Sequence, residues 1–206
     1  MPRQSAPRLR AIGIGPASGS TPGTALIDAA SGQTFTINGA ITSAGNTGTN
    51  NLTVNSLAPA PGTVVLGGAN AFRGTTIISN GILQLANTLA LQNSTLNYNI
   101  GTLLFDSSIS AATLAGLFGT NTSQTIGLTN TSGGPIALTV GGTNAAITYS
   151  GNWSDGGLGG SLIKAGSGTL TLSNNANYTG GTTINAGSGT VTIVAGSITV
   201  IASWQV

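Results

Sequence analysis

Apolar residues along this chain alternate with Thr, Ser and Asn in short runs, and each run stops at Gly, Asn or Ser. Phe35 and Ile37 are interleaved with Thr34 and Thr36, Leu83 and Leu85 with Gln84, and Leu170 and Leu172 with Thr169 and Thr171. A period of two predicts strands with one face turned inward, and the Gly- and Asn-rich stops predict tight turns. By this rule residues 24–41, 51–57, 89–105, 126–142 and 145–151 hold short strands, and residues 197–206 a last one with Trp204 near its tip. Pro59 and Pro61 break the chain after residue 57. Residues 110–118 (SAATLAGLF) read differently, as a single helical turn or an excursion from the strands.

One strand–turn–strand unit occurs twice. It runs GTVVLGGANAFRGTTIISNGILQL from Gly62 and GTLTLSNNANYTGGTTINAG, continuing SGTVTI, from Gly168. Each copy has a strand, an Asn/Gly turn, an aromatic residue, a Gly-containing step into Thr-Thr or Thr-Thr-Ile, and a second strand. Repeats of this kind, which cannot bury their apolar face alone, stack into solenoids. The expected fold is all-β, a parallel β-helix (a single-stranded β-solenoid) over residues 24–206. Residues 1–23 are expected to be a disordered leader or a truncated edge. About 20 residues per winding would give roughly nine windings. The inward column is expected to contain Val64, Leu66, Leu83, Leu85, Leu170, Leu172, Ile184, Val191 and Ile193.

Composition narrows the chemistry. Of 206 residues only 4% are charged, 33 are Gly, and His and Cys are absent. Without Cys there are no disulfides, thiolate metal sites or thiol nucleophiles. Without His no serine has the usual activating base. Arg3, Arg8 and Arg10 crowd the N-terminus; beyond them Arg73 and Lys164 face Asp28, Asp106 and Asp155. That body has no clustered cations for phosphates, so nucleic acid is not an expected partner. Three Asp so far apart in sequence make no acid–base pair, and the chain reads as non-enzymatic, with no metal and no cofactor. The segment SDGGLGG around Asp155 offers one carboxylate, too few for a calcium site. The short apolar stretch near the N-terminus, interrupted by Arg10 and Gly13, is no export signal. Tyr149 and Trp153, with Tyr178, are candidate carbohydrate-stacking rings, although such rings also stack on neighbouring windings.

The second copy resembles the autotransporter-associated β-strand repeat of bacterial passenger domains. The resemblance rests on Lys164, Gly166, Gly168, Thr169, Leu170, Leu172, Tyr178, Thr179, Gly180, Gly181, Thr182, Thr183, Asn185, Ala186 and Gly187. The first copy keeps Gly74 and Gly81 but has Phe72 for the Tyr, Arg73 for the following Thr, Thr75 for the second Gly and Asn80 for the Ala. The resemblance implies a right-handed parallel β-helix exported by type V secretion through an outer-membrane translocator barrel, which this sequence does not encode. It also implies a stalk or adhesin on the cell surface with a host-surface or glycan ligand. An ice-binding solenoid, suggested by Thr-x-Thr pairs at Thr34/Thr36 and Thr169/Thr171, and a phage or surface-layer module are the alternatives. The lack of a polar capping winding after Val200 predicts end-to-end self-association.

Overall fold

A computed structural model describes residues 12–15, 23–43, 49–56, 60–185 and 188–194. Every described residue in regular structure is in a strand, and every strand pairing is parallel. The longest sheet has eight strands, in spatial order Thr24–Ala29, Asn51–Ser56, Gly74–Ile78, Leu91–Asn97, Ala111–Phe118, Ala137–Val140, Ser161–Lys164 and Thr182–Ile184. Their order in space is their order in sequence, the signature of a coil whose windings stack one on the next. Between visits to this sheet the chain builds shorter ones. Thr34–Ile37, Thr63–Leu66, Ile82–Leu85 and Thr102–Phe105 form the second face of the first windings. Ile147–Tyr149, Leu170–Leu172 and Val191–Ile193 form one face of the later windings, and Thr125–Gly127, Asn152–Ser154 and Ala176–Asn177 another.

The coil has about seven turns rather than nine, because several windings are longer than expected. Thr24 pairs with Asn51, 27 residues on. Gly74 pairs with Ser94, 20 residues on, and Ala111 with Ala137, 26 residues on. Polar corner loops absorb the variation, so the strand register is kept while winding length changes. One such loop folds on itself: Thr129 and Pro135 form the single antiparallel bridge among the described residues.

Residues 110–118 are not helical. Ala111–Phe118 is the longest strand among the described residues and is flanked on both sides by parallel partners. Ala112, Leu114 and Leu117 face the core, and neighbouring strands on both edges decide the conformation against a weak local helical preference. The helix-like spacing coincides with a register shift between Leu114 and Gly116, where the neighbouring strand Leu91–Asn97 runs on from Leu91 to Thr95 and so carries the extra residues. Ile12–Ile14, placed in the leader by sequence, also forms a strand and pairs with Ile41–Ser43. The expected terminal strand at 197–206, with Trp204, lies outside the described residues.

Inward columns of aliphatic side chains hold the windings together. Val64, Leu66, Leu83, Leu85, Leu170 and Leu172 are buried, as expected, each contributing about 1.5–3 kcal/mol. Ile184, Val191 and Ile193 are only half-buried, because they lie on the last described strand of their sheets and are covered from one side. Phe35 occupies the matching position at the other end: it is in register with the buried Val64 and Leu83, yet 49% exposed. At the corners, side-chain amides tie windings together. Asn70 accepts from the Ile41 N–H (2.7 Å) and donates to the Ala90 carbonyl (2.9 Å), so one residue bridges three windings.

Candidate functional site

Two interior features organise the second repeat copy. The first is a row of rings. Tyr98 stacks on Tyr149 with centroids 6.3 Å apart, Tyr149 meets Trp153 edge to face at 5.6 Å, and Trp153 lies 6.2 Å from Tyr178. Gly119 belongs to the winding between Tyr98 and Tyr149. A Cβ there would lie 2.5 Å from the Tyr98 carbonyl and 3.0 Å from the Tyr149 ring, so only glycine lets the pair meet. Tyr149 and Trp153, with Tyr178, were candidates for stacking on a sugar; this is corrected by their burial (0%, 1% and 4% exposed). Apolar alternation turns their strands so that these positions point inward, where they pack against each other. Burial pushes the Tyr149 phenol up, and the neighbouring Tyr98 adds to the shift. The Tyr149 hydroxyl and the Trp153 indole N–H have no hydrogen-bond partner.

The second feature is Asp155, whose carboxylate is nearly closed off from solvent. It accepts from the N–H groups of Gly157 (2.9 Å), Gly159 (3.0 Å) and Gly160 (2.9 Å) in its own turn. It also accepts from Thr179 of the next winding, through the N–H (2.8 Å) and the hydroxyl (2.6 Å). Burial works to raise its pKa, but the Thr179, Gly157 and Gly159 hydrogen bonds outweigh it and hold the group at about 2. Backbone donors fill this carboxylate, so SDGGLGG is a self-contained turn that clamps the start of the Thr-Gly-Gly-Thr-Thr step. Nothing in its sequence announced that role, because the partner is 24 residues away.

The repeat residues serve the stack. Lys164 stands in an inward column between Val140 and Ile184, and its amine donates to the carbonyls of Ala165 (2.5 Å) and Gly166 (2.6 Å). Burial lowers its pKa. Gly74, Gly81 and Gly181 have φ of 125°, 82° and 79°, angles that other residues rarely adopt. Gly168 and Gly180 are required for closeness: a Cβ would sit 2.1 Å from the Ala145 carbonyl oxygen and 2.2 Å from that of Gly159. Gly180→Ala is therefore expected to cost about 2 kcal/mol, because backbone on the adjacent winding must shift. Urea denaturation measures this, and an unchanged midpoint would remove the close-packing argument. Gly187 lies outside the described residues.

The two copies solve one problem differently. In the second, the Tyr178 hydroxyl bonds the buried Thr182 hydroxyl. In the first, Phe72 has no hydroxyl, and the equivalent buried Thr76 pairs instead with Ser94 of the following winding (2.8 Å). Ser94→Ala is expected to cost about 1 kcal/mol, since it leaves the Thr76 hydroxyl unpaired. Phe72→Tyr should recover much of that loss in the Ser94→Ala background and little in the wild type. A double-mutant cycle reads the coupling directly, and strict additivity would contradict the proposed exchange of partners.

Outside, the carboxylates lie far apart on the coil. Asp28 is on Thr24–Ala29, Asp106 follows Thr102–Phe105 and bonds the Gln84 amide (2.6 Å), and Asp155 is enclosed in its turn. Among the described residues no three Asp, Glu, His or Cys side chains come together. A shallow polar groove of about 510 Å³ lies on the long sheet. Asn51, Thr75 and Thr95 follow each other in register along it, with Arg73 and Asn93 beside them and Thr143 at its far end. The sequence offered no cue to this groove, since its walls come from four separate windings.

The family model of the passenger-associated-transport-repeat matches residues 61–85 and again 162–188. Neither the curated proteins nor the solved structures contain a match to the chain. The matched segments coincide with the two copies, one centred on Phe72 and Thr76, the other on Lys164, Tyr178 and Thr182. The chain thus carries the transport repeat of autotransporter passengers twice, on a passenger-like parallel β-helix.

Proposed function

We propose that this chain is a non-enzymatic stalk or adhesive segment of an exported bacterial surface protein, displayed outside the cell after type V secretion. The observation that supports it most is the pairing of two transport repeats with a solenoid whose outer columns carry amides and hydroxyls and almost no charge. Such a face neither repels itself between windings nor depends on a counter-ion atmosphere, and it offers many hydrogen bonds to a hydrated surface. An outer-membrane translocator barrel is the partner this reading requires, and a host-surface or glycan ligand the one it serves.

The ice-binding alternative has less support. Thr148, Thr171 and Thr192 do stack in register, but the Thr36 column continues as Val65, Gln84 and Leu104. A flat Thr array over successive windings does not form there. Two measurements test the main reading. Purified protein should coat cells or matrix-covered plates saturably, and a panel of polysaccharides should pass through it unhydrolysed. Turnover that survives repeated purification, or no retention on any surface, would refute it.

A further inference from the structure

We infer that the groove beside Arg73 binds an acidic saccharide, a chain of hydroxyl-rich sugar units that carry carboxylates. This rests on the surface-adhesive reading above and supplies its ligand class.

Charge comes first. Among the described residues the cations are Arg73 and Lys164, and Lys164 is turned into the core, where it bonds its own turn. Arg73 is exposed, and no carboxylate side chain lines the groove with it. Asp155 and Asp106 are engaged elsewhere, and Asp28 is in register with Asn55, towards the far end of its strand from Arg73. A guanidinium without an internal partner presents a planar fork that fits a carboxylate through two parallel hydrogen bonds. One cation is too few for a nucleic-acid backbone, so the ligand must be held mainly by neutral contacts.

Those contacts match sugars. Asn51, Thr75 and Thr95 stand on three successive windings, so hydroxyl and amide groups recur every ~4.8 Å along the groove. That spacing is close to the length of one pyranose unit in an extended chain. The groove is open because side chains are missing from its floor. Gly74 and Gly142 line it, and Gly74 holds a φ of 125° that disfavours any replacement. Thr143 closes the far end, its N–H bonded to the Ala115 carbonyl (3.0 Å). No large apolar side chain lines the groove, which disfavours a lipid or a hydrophobic peptide.

Calorimetric titration with uronic-acid oligomers tests this, with the methyl-esterified oligomers and acetate as comparison ligands. The wild type is expected to bind the acidic oligomer at least tenfold more tightly than its ester, and acetate not measurably. Arg73→Gln should abolish that preference while leaving the circular dichroism unchanged, since the side chain is exposed. Arg73→Lys should retain part of it, and Thr95→Val should weaken acidic and esterified oligomers alike. Rising salt should weaken only the acidic ligand. Equal binding by wild type and Arg73→Gln, no binding of any oligomer, or equal affinity for acetate would overturn the inference. Cell or matrix retention that Arg73→Gln leaves intact would reject the groove and spare the adhesive reading. Oligomer binding without surface retention would do the reverse.

Discussion

Trp153→Ala is expected to destabilise the protein by about 3–5 kcal/mol, the largest effect of any single substitution considered for the interior. Trp153 is the centre of the aromatic row, in contact with Tyr149 at 5.6 Å and Tyr178 at 6.2 Å. Removing it opens a cavity between windings that a close-packed stack cannot collapse, because backbone hydrogen bonds fix the separation of strands on either side. Trp153→Phe should behave quite differently, with a loss of about 1 kcal/mol or less. A phenyl ring keeps most of the contact, and the indole N–H that it removes has no partner in the folded state. Chemical denaturation of the two variants separates packing from polarity. Equal losses for Ala and Phe would show that the ring row is not what holds this part of the coil together.

The second large effect is at Asp155. Asp155→Ala is expected to cost about 3 kcal/mol at neutral pH, since it strands the N–H groups of Gly160 and Thr179 and unties two windings. The effect must depend on pH in a defined direction. The carboxyl has a folded-state pKa of about 2, lowered from 3.8. A depressed acid stabilises the fold above its unfolded pKa and ceases to do so as pH falls through the folded value. The gap between wild type and Asp155→Ala should therefore be constant above pH 3.8 and shrink as pH falls towards about 2. Asp106, also lowered, by the Ser108 hydroxyl and N–H, is common to both proteins and cancels. Thermal melts across this range give the answer, and a gap that stays constant to below pH 2 would show that the charge is not what holds the turn.

Much of this architecture was legible in the sequence, for a physical reason. A period of two interrupted by Gly and Asn defines which side chains face inward, and Val64, Leu66, Leu83, Leu85, Leu170 and Leu172 were found that way. What escaped was whatever depends on contacts between windings. Winding length is set by corner loops that carry no periodic signal, so nine turns were expected where about seven are formed. Ala111–Phe118 imitates a helix where its register against Leu91–Asn97 shifts, and only its two parallel neighbours correct the reading. For Tyr149 and Trp153 the sequence leaves open both a sugar-stacking role and stacking on neighbouring windings, and strand alternation turns both rings inward. The Asp155 clamp joins residues 24 apart, and the Arg73 groove draws on four windings, distances at which local pattern is silent.

Parallel stacking is the claim from which the rest follows, and inter-strand NOEs in solution NMR test it most directly. The account predicts contacts that step along the chain in one direction: Ala112 to Leu138, Leu138 to Leu162, and Leu162 to Thr182. Close Hα–Hα contacts between sequence-adjacent segments running in opposite directions, as a meander or sandwich would give, would contradict it.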